Sequence, residues 1–161
     1  MGYEIERKWL VGEIPDDILQ KMNSEEFRHT RILQGYLSTD PVVRVRKDGD
    51  EYWLTCKGSG ALSREELNLP MKEEVFRKLL DKADGSILEK ERYRIPDGSG
   101  LMIELDIFHG SYEGLIYAEV EFPDEAAAAA YSVPGWFGRE LTHEKGWSNA
   151  SLSLAKPRAL C

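Results

Sequence analysis

Glu4, Glu6 and Lys8 occupy alternate positions near the N-terminus, between Tyr3, Ile5, Arg7 and Trp9. A β-strand sends successive side chains to opposite faces, so this spacing sets two carboxylates and an ammonium group side by side. The spacing recurs in Arg44 and Arg46, in Lys90, Arg92 and Arg94, in Glu104 and Asp106, and in Glu119 and Glu121. Cations suit a polyanion, and carboxylates suit hard divalent metals. A surface carrying both suits a metal-bound polyphosphate.

Two features separate these faces from an ordinary solvated sheet. Arg44 and Arg46 alternate with Val43 and Val45, with no acid between them. Glu119 and Glu121 alternate with Ala118, Val120 and Phe122, with no base between them, and Glu104 and Asp106 repeat that acidic pattern. Neighbouring like charges cost energy unless a ligand of opposite charge sits among them. A buried ion-pair network kept for stability is the competing account, but desolvation offsets much of its Coulomb gain. A water-filled tunnel lined by charge is therefore expected. Arg7, Glu89 and Glu91 fall on the opposite parity and are expected at the surface or rim. Glu73, Glu74, Lys78 and Lys82 read as solvated helix charges. Trp53, Trp136 and Trp147 read as packing residues, and no aromatic is expected on the inward faces.

The elements that must hold these residues are mostly hairpins. Asp48-Gly49-Asp50 separates strands predicted over 42–47 and 51–57, and Gly58-Ser59-Gly60 leads to one over 62–69. Pro96 to Gly100 separates 87–95 from 101–108, and Gly110 to Gly114 leads to 115–122. Asp-Gly and glycine-rich turns favour antiparallel neighbours. A further strand is predicted over 28–37. Helices are predicted over 16–22, from Pro70 to an end at Gly85, from an Asp124 cap to Tyr131, and over 149–155. The fold class is α+β, mainly β. The expected architecture is a closed eight-stranded antiparallel β-barrel with a few helices packed outside, in a single domain spanning 1–161; closure removes exposed strand edges.

Composition narrows the function. The chain is 42% hydrophobic and 31% charged, with a net charge of −8, which disfavours nucleic acid held through a basic surface. No apolar run reaches membrane-spanning length and no signal-peptide core is visible, so no membrane partner is expected. Cys56 and Cys161 show no metal-ligand spacing, which suits a reduced cytoplasmic setting.

The ordered set of motifs resembles the CYTH, or triphosphate tunnel metalloenzyme, superfamily. Glu4-Ile5-Glu6-Arg7-Lys8 is similar to its E-x-E-x-K signature, and Arg44-Val45-Arg46 to its R-x-R strand. Lys57 resembles the lysine after the following strand, and Arg64 with Glu66 the next basic and acidic pair. Lys90-Glu91-Arg92, Glu104-Leu105-Asp106 and Glu119-Val120-Glu121 continue the series, and Glu140-Leu141-Thr142 with Ser148 to Leu152 resembles the C-terminal portion. The resemblance implies an eight-stranded tunnel that takes a small-molecule triphosphate with Mg²⁺ or Mn²⁺, as a monomer or homodimer. It implies that Glu4, Glu6, Glu119 and Glu121 hold metal, with Asp106, Glu104 and Glu66 adding carboxylates. Lys8, Arg44, Arg46, Lys57, Arg64, Lys90, Arg92 and Arg94 would then bind phosphate. Asn68 departs from members that carry an acid there. The expected activity is hydrolysis of inorganic or small organic triphosphate. A class IV adenylate cyclase, a thiamine triphosphatase and a non-catalytic polyphosphate-binding module are the alternatives.

Overall fold

The computed structural model describes residues 2–155; Cys161 of the cysteine argument lies outside them. In chain order the elements are β1 (Gly2–Leu10), α1 (Asp16–Asn23), β2 (Arg28–Thr39), β3 (Val42–Asp48), β4 (Glu51–Lys57) and β5 (Ser63–Pro70). There follow α2 (Glu73–Leu80), β6 (Asp84–Pro96), β7 (Met102–His109), β8 (Ile116–Glu121), α3 (Glu125–Ala130) and α4 (Asn149–Leu154). The strands close into an antiparallel barrel in the order β1-β5-β4-β3-β2-β6-β7-β8, and β8 returns to β1 through Glu6↔Glu121 and Lys8↔Glu119. The predicted hairpins are all present. Gly49 turns β3 into β4 at φ +60, a conformation that favours glycine. Asp124 caps α3 by accepting from the Ala127 amide at 2.7 Å.

Two predicted boundaries move, and both for the same kind of reason. Pro70 ends β5 opposite Trp53 instead of opening a helix, and α2 begins at Glu73. Gly85 does not end α2; it lies in β6, which starts at Asp84 rather than 87. Its φ is +68, and a Cβ there would stand 2.2 Å from the Ser153 carbonyl oxygen. Glycine at this place lets α4 lie against β6. Sheet pairing and helix docking, which are long-range, overrode the local signals.

Side-chain parity divides the interior in two. Outward residues Trp9, Ile95, Ile103, Leu105, Ala118 and Val120 form one core with Met22 of α1 and Ala128 of α3. A fully buried aliphatic such as Leu105 contributes about 1.5–3 kcal/mol relative to exposure. Inward residues Tyr36, Leu88, Phe108 and Tyr117 form a second core with Leu152 of α4. That second core is an apolar floor inside the barrel, and it shares its faces with the charged sets. Phe108 and Tyr117 meet edge to face at 5.2 Å. They correct the expectation of no inward aromatics: Phe108 has the parity of Glu104 and Asp106, and Tyr117 that of Glu119 and Glu121. Among the described residues no helix is long and apolar enough to cross a membrane.

Candidate active site: a charged tunnel

The barrel encloses a cavity of about 740 Å³. Every strand except β2 lines it with a residue singled out from the sequence. These are Glu4, Glu6 and Lys8 of β1, Arg44 and Arg46 of β3, Lys57 of β4, Arg64 and Glu66 of β5, Lys90 and Arg92 of β6, Glu104 of β7, and Glu119 and Glu121 of β8. Strand alternation brings them together, as the spacing requires. Two expected members do not line the cavity. Arg94 donates to Thr30 Oγ1 at 2.9 Å and pairs with Asp48 at 3.2 Å, which ties it to the barrel wall. Asp106 is fully buried behind two cations.

Asp106 anchors a dense network. Its oxygens accept from Arg92 Nε at 2.7 Å and Arg92 Nη2 at 2.8 Å, and Lys90 Nζ lies 2.7 Å away. Burial alone would push its carboxyl up, but Arg92 and Lys90 hold it far below the usual range. Burial draws Lys90 down to about 7 despite Asp106. Arg92 also reaches Glu104 at 3.1 Å. Both oxygens of Asp106 thus contact cations, and the carboxylate fixes the positions of Lys90 and Arg92. Burial would push Glu119 up, but Lys8, 4.0 Å away, together with Arg92 and Lys90 outweighs this and leaves the carboxyl at about 2.

The acids nearer β5 behave differently. The side chains of Glu6 and Glu121 make no hydrogen bond or ion pair within the described residues. Burial, then the charges of Glu119 and Glu4, lifts Glu6 well above the ordinary carboxylate range. Burial and Glu104 raise Glu121. Glu4 rises to about 6 through burial and its hydrogen bonding with Glu66, even though Lys57 stands 2.9 Å from it. Burial would raise Glu66 too, but Glu4, Asn68 and Lys57 bring it to about 2. Asn68 therefore joins the wall as a neutral link, accepting from Thr55 at 2.6 Å and donating to Glu66 at 2.5 Å.

Among the described residues no three acidic, histidine or cysteine side chains already converge as a metal cage. Pairs of carboxylates suit Mg²⁺ better than a closed cage does. That ion keeps several waters and is held by one or two carboxylates plus substrate phosphates. The unpartnered acids Glu6 and Glu121, crowded by like charge, fit such a cation.

Several lining residues escaped sequence reasoning. Trp53 lines the cavity rather than only packing; it shares the parity of Thr55 and Lys57, which was the available signal. Trp136 packs on Phe137 at 4.7 Å, as expected of it. Trp147 sits beside the second core, also as expected. Asn149 reaches the tunnel from α4, a placement that no strand pattern announces. Arg7 lies on the outer face, bonded to Glu140 at 2.6 Å and to the Ala128 carbonyl at 2.7 Å. Glu89 and Glu91 are also outward, beside Arg31 and His29.

An inorganic triphosphatase of Nitrosomonas europaea is 40% identical over 159 residues, covering 96% of this chain and 99% of that protein. The chain belongs to the CYTH superfamily. A second CYTH relative, an inorganic triphosphatase of Acetivibrio thermocellus, is 36% identical over 159 residues and 94% of each chain. The crystal structure of the inorganic triphosphatase NE1496 superposes on this CYTH barrel with a TM-score of 0.69 at 36% identity, covering 98% of this chain and 99% of that one. A Hippeastrum protein named as an adenylyl cyclase, with a dominant triphosphatase activity, shares the fold alone. It has 13% identity and a TM-score of 0.54, over 78% of this chain and 82% of that one. No protein-family model matches the chain.

Proposed function

We propose that this chain is a divalent-metal-dependent triphosphatase that hydrolyses inorganic triphosphate. Water attacks the terminal phosphorus, the P–O–P bond breaks, and orthophosphate and pyrophosphate leave. The observation that carries this reading is the tunnel's division of labour. Unpartnered carboxylates at Glu6 and Glu121 share one cavity with Arg46, whose terminal nitrogens have no partner among the described residues. A surface built only to bind polyphosphate would gain nothing from those acids. The similarity to proteins named as inorganic triphosphatases supports the same reading.

Glu4, Glu6, Glu119 and Glu121 would hold Mg²⁺ or Mn²⁺, with Glu104 and Glu66 beside them. When bound, the cation would neutralise phosphate charge and acidify a water. The protein's own cations do the rest. Arg44 and Arg46 offer forked donors to phosphate oxygens, and Lys8, Lys57 and Arg64 supply charge from the neighbouring strands. Lys90 and Arg92, fixed by Asp106, keep their remaining donors aimed inward and stabilise charge on the transferring phosphoryl group. A thiol at Cys56 that pairs with no described residue suits a cytoplasmic setting.

Trp53 favours a second reading. An aromatic on the cavity wall could hold the organic part of a small organic triphosphate. A phosphate-release panel separates the two, using inorganic triphosphate, pyrophosphate, ATP and thiamine triphosphate with Mg²⁺ and Mn²⁺. The expected result is the highest kcat/KM on inorganic triphosphate, and no cyclic AMP from ATP. Preference for an organic triphosphate, or cyclic AMP as the main product, would overturn the leading reading.

A further inference from the structure

Gln34 is fully buried inside the barrel on β2, the one strand from which the sequence offered no site residue. Its register sets it between Arg46 of β3 and Leu88 of β6. Its Oε1 accepts from Arg46 Nε at 2.9 Å. Its Nε2 donates to Tyr36 Oη and to Asn149 Oδ1, each at 3.2 Å. The same Asn149 oxygen accepts from Lys90 Nζ at 3.0 Å. Asn149 is itself fixed in place. It opens α4 behind the Ser148 cap, and α4 is anchored by buried Leu152, whose carbonyl accepts from Tyr112 Oη at 2.9 Å.

Two cations on strands that are not neighbours thus meet through two amides. We propose that Gln34 and Asn149 form a neutral bridge that positions Arg46 and Lys90 on a common phosphate group. This rests on the triphosphatase reading and adds to it two residues that act by positioning the cations.

The chemistry of the bridge explains why amides stand there. Arg92 is held by carboxylates, which aim it but also satisfy much of its charge. Arg46 is held only through Nε, by an uncharged acceptor. Both of its terminal nitrogens are left without a partner among the described residues, and its charge is left for the substrate. A carboxylate at position 34 would aim the guanidinium equally well but would compete with phosphate for it. An apolar residue would leave the charge but lose the aim. The amide does both, and its second end passes the constraint through Asn149 to Lys90.

The test is a double-mutant cycle on tripolyphosphate hydrolysis with Mg²⁺, using Gln34→Met, Asn149→Ala and the pair. Each single change is expected to lower kcat about tenfold. The double variant should also lose about tenfold, because one bridge is cut in either place; independent structural losses would multiply to about a hundredfold. Gln34→Glu should act differently, raising KM by neutralising Arg46. A second measurement needs no activity. In NMR spectra of the metal-free protein, Asn149→Ala should shift the Arg46 Nε–Hε resonance, although residue 149 does not touch Arg46. Should Gln34→Met fail to fold, this shift carries the test. Multiplying losses, or an unmoved resonance, overturns the bridge while the triphosphatase reading stands. A parent protein that releases no phosphate from tripolyphosphate overturns that reading and the bridge with it.

Discussion

Around Asp106 the inward charges satisfy one another, whereas around Glu6 they do not. Asp106, Lys90 and Arg92 sit within 2.7–2.8 Å contacts, and the carboxyl is held far below its usual range. Glu6 has no such partner, and burial with two neighbouring glutamates lifts it. Both regions lie on the same barrel and follow the same strand spacing. The difference is that one region pairs opposite charges across β6 and β7, while the other brings acids of β1, β7 and β8 together. Paired charges hold one another in place; unpaired like charges repel one another and raise the carboxyl.

Mutation should break the comparison in opposite directions. Glu6→Gln is expected to cost about a hundredfold or more in turnover, the scale of losing one group that stabilises transition-state charge. The variant should melt at or above the parent's temperature in EDTA, because it relieves repulsion. Turnover of the parent that is undiminished in EDTA would sink the metal assignment. Asp106→Ala should do the reverse to stability. It strands Lys90 and Arg92 in the interior and should cost about 3–5 kcal/mol in urea unfolding. Near-parental stability would mean that the network contributes specificity of geometry alone.

The smallest effect is a pH dependence that sharpens the contrast. Glu4 rises from its ordinary 4.5 to about 6, so between those values the folded protein binds more protons than the unfolded chain. Stability of the metal-free protein is therefore greatest below pH 4.5 as far as Glu4 is concerned, and it is lost as pH climbs through 6. The loss attributable to Glu4 is about 2 kcal/mol, and Glu6 adds to it in the same direction. Asp106, Glu66 and Glu119 have lowered values, so their contribution is complete above the ordinary carboxylate range and is lost only on further acidification. Urea midpoints without metal should thus fall from about pH 5 to about pH 7, and added Mg²⁺ should recover the loss at the upper end. A midpoint that rises over that interval would contradict the raised carboxyls of Glu4 and Glu6.

Sequence alone determined what period two can determine. Alternation at Glu4-Ile5-Glu6-Arg7-Lys8 and Val43-Arg44-Val45-Arg46 sorted charged from apolar faces, and turns such as Asp48-Gly49-Asp50 paired the strands into a barrel. Thirteen of the fifteen singled-out residues line the cavity for this reason, since parity is a local property of extended backbone. Tertiary structure decided what depends on depth along the strand and on the partner across it. Arg94 and Asp106 have the right parity, yet one is tied to the wall and the other is buried behind its cations. Phe108 and Tyr117 share that parity and became an apolar floor. Gln34 and Asn149 met only because α4 docks on β2 and β6, against a glycine at position 85 that no local rule marked for that purpose. Alternation says which way a side chain points; the stagger of closed strands and the docking of a distant helix set what it meets there.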